Sequence, residues 1–171
     1  SWEDAPGIAH TVRELASHID HMQEYAFTIN QREAVLEWPE TTFGQLDPLQ
    51  ASVRPCVKTW TLVSEWANRH EAWMNGPFWN IDRDATQAHV LQSIAELQRA
   101  EKYFVECESP GPRSVSAHLR GLYEQFKVNL PVITELRNPA LAWTRSESHR
   151  HWAPLCEDMQ IDIEEIPKVT L

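Results

Sequence analysis

His18 and His21 stand three residues apart in a stretch without glycine or proline, a spacing that on a helix can offer two imidazoles to one metal ion. No third ligand falls into a recognisable frame. The string H-E-x-x-H does not occur, His70-Glu71 has no second histidine four residues on, and His149 and His151 face different sides of a helix. A carboxylate-bridged metal pair inside a helical bundle needs Glu three residues before His on two helices, and none of the eight histidines has it. The histidines therefore read as surface or structural groups. Phosphate chemistry is no better served: G-x-x-x-x-G-K-[ST] and G-x-G-x-x-G are both missing from a chain with five glycines, as is the G-x-S-x-G elbow. Cys56, Cys107 and Cys156 are far apart with no C-x-x-C pair, and read as reduced thiols of a cytosolic protein. No catalytic, cofactor-binding or metal-binding residue is assigned.

Charge narrows the partners. Lys and Arg number 15 against 25 Asp and Glu, a net charge of −10 over 171 residues. A nucleic-acid face needs a clustered cationic excess to displace counterions, and an anionic membrane surface attracts the same charge, so both are disfavoured. No apolar run approaches the ~20 residues of a membrane span, and no signal peptide opens the chain. The acidic excess reads as a solvated helix exterior. A start at Ser1 and an end at Val169-Thr170-Leu171 suggest cuts within a longer polypeptide.

The elements that would position these groups are long helices. From Ala9 to Glu37 there is neither glycine nor proline, and Ile8, Val12, Leu15, Ile19, Met22, Ala26, Ile29 and Leu36 step by four and three, apart from Glu33. Trp38-Pro39 is expected to close this helix. Asp47-Pro48 reads as the cap of a second, with a face through Leu49, Val53, Cys56, Val57, Trp60, Val63, Ala67 and Trp73, a kink at Pro55, and a stop at Asn75-Gly76-Pro77. Asp82 caps a third, carrying Val90, Ile94, Leu97 and Phe104, and Pro112 opens a fourth with Leu119, Leu122 and Phe126. Short helices are expected at Val132–Leu136 and around His151–Met159. Amphipathic helices on short connections bury their stripes by packing antiparallel, so the expected fold is an all-α bundle of about four long helices plus short C-terminal ones. Of eight tryptophans, Trp60 is expected in the core, and Trp66 and Trp79 at contacts with neighbouring chain.

Five strings, in order, resemble the heavy chain of dynein at the start of the region that precedes its motor ring. Ile29-Asn30-Gln31-Arg32-Glu33-Ala34 followed by Trp38-Pro39 is similar to the family's "IN-x-RE" stretch. Trp73-Met74-Asn75-Gly76-Pro77-Phe78 followed by Asp82 resembles its "W-M-x-G-P" turn, and Gly111-Pro112-Arg113 and Leu130-Pro131-Val132-Ile133 resemble its next landmarks. Leu136-Arg137-Asn138-Pro139-Ala140-Leu141 with His151-Trp152 resembles "LRNP-x-L…RHW", with a longer connection across Ala142–Ser148 than is usual in the family. The Trp-Pro and Trp-Met-Asn-Gly-Pro variants look more like axonemal than cytoplasmic heavy chains.

The resemblance implies a mechanical role. ATP and Mg would bind in the downstream ring, not in this segment, whose residues 1–136 would be a helical bundle between tail and linker. Residues 137–171 would form a corner and the start of the next linker segment, the family continuing beyond Leu171. Trp73, Gly76, Pro77, Arg137, Asn138, Pro139, His151 and Trp152 would be structural. Partners would be the rest of the heavy chain, intermediate and light chains, and microtubules, in the ciliary or flagellar axoneme. Two rivals stand beside it: a stand-alone helical scaffold, which would bury its stripes completely, and a helical metal enzyme, which would need acidic partners to converge on His18 and His21.

Overall fold

The computed structural model describes residues 4–138 together with 154, 157, 158, 160, 170 and 171. Among these residues the fold is all-α, with helices α1 (Ala5–Val35), α2 (Leu46–Met74), α3 (Arg83–Glu106), α4 (Pro110–Lys127) and α5 (Leu130–Leu136), and a 3-10 turn at Phe78–Asn80. Of the helix expected at His151–Met159, residues 154, 157 and 158 are helical, and the rest lies outside the described residues, as do Pro139, His151 and Trp152.

Helix ends are set by backbone geometry as much as by proline. α1 stops at Val35, before the expected Trp38, because Glu37 takes a left-handed φ of 53° and Trp38 N–H reaches back to the Glu33 carbonyl at 2.9 Å. α3 closes in the same way, with Glu108 at φ 50° and Ser109 N–H on the Phe104 carbonyl at 2.9 Å. α2 begins at Leu46, so Asp47 is in its first turn rather than at the cap, and Pro55 lies inside the helix. α4 begins at Pro110, two residues earlier than Pro112. Asp82 caps α3 as expected, its Oδ1 accepting from Ala85 N–H at 2.9 Å.

Two compact units divide the chain within helices. One comprises Ser1–Ser64 and Glu96–Leu119. In it α1 runs antiparallel to α2, since Gln23 Nε2 donates to Asp47 Oδ1 at 2.9 Å and Gln50 Nε2 donates to Asp20 Oδ1 at 2.6 Å. Lys58 Nζ meets Glu96 Oε2 at 2.7 Å, holding that carboxyl below its usual range, and Thr59 and Ser116 pair through their buried hydroxyls at 3.3 Å. Ile19, Ala26, Val63, Leu97, Phe104 and Leu119 form its core. The stripe expected on α1 is only partly used: Ile19 and Ala26 are buried, whereas Leu15, Met22 and Leu36 are exposed.

The other unit comprises Glu65–Ala95 and Arg120–Leu171. Its core holds Trp66, Trp73, Phe78, Val90, Tyr123 and Phe126. Two tryptophan expectations are corrected here. Trp66, expected at a contact, is 7% exposed, while Trp60 is half-buried and Ala67 lies in solvent. The buried face of α2 runs through Thr59, Val63, Trp66 and Trp73; Val63 and Trp73 are on the expected stripe, and Thr59 and Trp66 stand where Trp60 and Ala67 were expected. One indole is exchanged for another, and what selects Trp66 is its edge-on contact with Tyr123 at 4.5 Å.

Candidate functional site

The second unit is built round the turn between α2 and α3. Ala72 ends its helical turn so close to Gly76 that a Cβ there would stand 2.3 Å from the Ala72 carbonyl oxygen, and any side chain would force the backbone apart. Pro77 follows with φ −58° and ψ 123°, turning the chain out of the helix, and the 3-10 turn then inserts Phe78 into the core. Ile81 is buried, and Asp82 starts α3. Along the Trp73–Asp82 string, Gly76 thus permits the close approach, Pro77 redirects the chain, Phe78 plugs the core and Asp82 caps the next helix.

Trp73 is the anchor. Its indole stacks on Phe126 at 4.6 Å between centroids and meets Trp66 edge-on at 6.5 Å; Trp66 in turn meets Tyr123 at 4.5 Å. His89 lies against Trp73 at 5.9 Å, and its Nε2 is 3.1 Å from the Tyr123 hydroxyl and 3.4 Å from that of Ser93. Burial, seconded by the Arg69 charge and opposed by Glu65, pushes the His89 pKa below the usual imidazole value. The neutral ring pairs with the Tyr123 hydroxyl through Nε2 in either tautomer, the direction of the bond following the ring proton. Burial likewise pushes the Tyr123 phenol up, so it keeps its proton.

Arg137 joins this turn from the far end of α5. Its Nε donates to the Ile81 carbonyl at 2.8 Å, and its guanidinium carbon lies 5.7 Å from the centre of the Trp79 ring. Asn138 is half-buried, its backbone N–H on the Glu135 carbonyl at 3.2 Å. The structure therefore brings Trp73, Gly76, Pro77 and Arg137 to one place, a grouping that motif reading did not supply. A cleft of about 350 Å³ opens beside the same turn, lined by Arg69, Trp73, Gly76 and Asp82 among others. Pro139, His151 and Trp152 lie outside the described residues.

Chemistry is sparse elsewhere. His18 and His21 are exposed on α1, and among the described residues no three His, Cys, Asp or Glu side chains form a group suited to a metal ion. Cys56 is half-buried, with its thiol pushed up by burial, and Cys107 is exposed; both are free. No described helix is long and apolar enough to cross a membrane. The site's capacity is structural: a proline-glycine turn, an aromatic anchor and an arginine clasp.

A family model described as dynein heavy chain, N-terminal region 2, matches residues 46–171. The chain belongs to the dynein heavy chain family. Dynein axonemal heavy chain 1 of Mus musculus is 29% identical over 164 residues, 96% of this chain and 4% of the relative. The protein of that name in Homo sapiens is also 29% identical over 164 residues, with the same coverage. Dynein axonemal heavy chain 12 of Mus musculus is 25% identical over 154 residues, covering 89% of this chain and 5% of the relative. No solved structure matches. The chain thus spans a small part of the dynein heavy chains it resembles, and the matched N-terminal region begins at Leu46, the first residue of α2.

Proposed function

We propose that the chain is a non-catalytic helical element of an axonemal dynein heavy chain, joining tail to linker and carrying load from the ATP-driven ring in ciliary or flagellar movement. The observation that supports this reading is the bond from Arg137 to the Ile81 carbonyl. A charge-assisted donor at the end of α5 grips the α2–α3 turn, so tension entering beyond Asn138 is resisted by the packed turn instead of by the single short helix. In this reading residues 1–136 are the bundle, and 137–171 form the corner and the start of the next linker segment, with Asn138, Pro139, His151 and Trp152 shaping it. ATP and Mg would be held in the motor ring, and the partners would be the remaining heavy chain, intermediate and light chains, and microtubules. The curated relatives named above are axonemal heavy chains by name.

The test is Arg137→Ala in the complete motor, with gliding speed, ATP turnover and melting temperature measured on one preparation. Gliding should slow severalfold while ATP turnover stays near that of the unsubstituted motor. Equal declines in both activities, or unchanged gliding with only a lower melting temperature, would reduce Arg137 to a packing residue.

A further inference from the structure

The far end of α1 outlasts the helices beside it. Gln23 is level with the first turn of α2, to which it bonds through Asp47, yet α1 runs on to Val35, roughly 18 Å further at 1.5 Å per residue. α3 ends near this level too: Lys58 of α2 meets Glu96 of α3 at 2.7 Å, and α3 has ten residues left to Glu106 where α2 has twelve back to Leu46. Among the described residues, what returns alongside the projecting end is the loop after it, where Thr41 N–H and Oγ1 donate to the Glu33 carboxylate at 2.7 and 2.6 Å.

This end is apolar on several sides and largely uncovered. Tyr25 is 67% exposed, Val35 83% and Trp38 63%, and Phe27 and Leu36 are exposed with them. At about 100° per residue, Tyr25 and Phe27 point to opposite sides of the helix, so no single inward stripe accounts for both. An aromatic left uncovered on each of two opposite sides is apolar surface that a further element can bury. A second pattern specifies what buries it: Ile8, Leu15, Met22, Ile29 and Leu36 recur every seventh residue along one edge, with Leu15, Met22 and Leu36 exposed. Seven-residue spacing is the seam onto which another helix packs.

We propose that Tyr25 to Trp38 is covered, in the complete protein, by a helix of the same heavy chain from outside residues 1–171. Its chemistry follows from the surface it meets: an apolar seven-residue seam edged by Lys or Arg, since exposed Glu24, Glu37 and Glu40 outnumber Arg32 around the projecting end. The heavy chain is the source because similarity to its relatives covers 96% of this chain but 4% of theirs, and because the matched N-terminal region starts at Leu46, after α1. The inference rests on family membership alone and stands or falls apart from the load-bearing role of Arg137.

The experiment uses the complete heavy chain. Hydroxyl-radical labelling compares native with urea-unfolded protein: Tyr25 and Trp38 should be oxidised at least about tenfold more slowly in the native state, with the buried Tyr123 and Trp73 as the protected controls. Native rates at Tyr25 and Trp38 near the unfolded ones overturn the proposal. A photo-reactive residue is then placed at Phe27 (Phe27→benzoylphenylalanine) in a mixture of isotopically heavy and light chains. Cross-links to same-isotope heavy-chain peptides outside residues 1–171 identify the occupant. Mixed-isotope cross-links, which report a second copy, cross-links to another subunit, or no cross-links at all overturn it.

Discussion

Aromatic side chains meet opposite fates in two regions of this molecule. In the unit holding the α2–α3 turn, Trp66, Trp73, Tyr123 and Phe126 are buried against one another, whereas Tyr25, Phe27 and Trp38 at the end of α1 stand in solvent. The residue types do not differ, so hydrophobicity alone does not decide burial. What differs is the number of elements within reach. The turn is surrounded by segments of α2, α3, α4 and α5, while the end of α1 has passed the start of its neighbour α2. An aromatic side chain at a lone helix end therefore marks a demand for a partner, and one among converging helices marks its satisfaction.

The largest effect should come from removing the anchor. Trp73→Ala should lower the stability of the chain in urea unfolding by about 3–5 kcal/mol, through lost transfer energy and the cavity left beside Phe126. Trp38→Ala should change it by no more than about 0.5 kcal/mol. Similar losses from both would erase the contrast between the regions. Next in size is Gly76→Ala, where the clash with the Ala72 carbonyl should cost about 1–3 kcal/mol. Gly111→Ala provides the control, since nothing lies within 4 Å of an added Cβ there, and it should be close to neutral in the same assay.

The smallest effect is one of pH. His89 has a folded pKa held below the unfolded value of about 6.5, so the unfolded chain takes up a proton first as pH falls. Its contribution is fully present above about pH 6.5 and is lost on descending through the lower folded pKa. Trp73, Tyr123, Ser93, Arg69 and Glu65 surround or influence this ring, and all remain in His89→Gln. The urea midpoint of the native chain should therefore drop more between pH 7.5 and 5.5 than that of His89→Gln. Parallel curves would show that the imidazole titrates as freely as in the unfolded chain.

The helical class was open to reading because Val90, Ile94, Leu97 and Phe104 keep one stripe on α3 with no competing face, and all four are buried. On α2 Val63 and Trp73 are buried as the stripe predicts, but Trp60 and Ala67 compete with Thr59 and Trp66 for the remaining inward places. Which pair is buried depends on Tyr123 and Phe126 arriving from α4, information that no window of α2 contains. The end of α1 was misplaced by three residues because Glu37 closes it through a left-handed backbone, a conformation glutamate does not advertise. At the site, the Trp-Met-Asn-Gly-Pro string was visible as a motif. Its meeting with Arg137 was not, since the acceptor is the Ile81 backbone carbonyl, which every residue carries. The expected corner at Pro139, His151 and Trp152 lies outside the described residues.

The Arg137 clasp also orders events during synthesis. Its two ends are 56 residues apart in sequence, so a ribosome adding roughly 5–20 residues per second makes Ile81 about 3–11 s before its arginine exists. Throughout that interval the Ile81 carbonyl lacks its Arg137 donor, and α3 and α4 must be made before Arg137 can follow the end of α5. The bond consequently reports that α5 is complete: a nascent chain stalled before Arg137 contains α1 to α5 yet cannot close the loop that joins the α2–α3 turn to the end of α5.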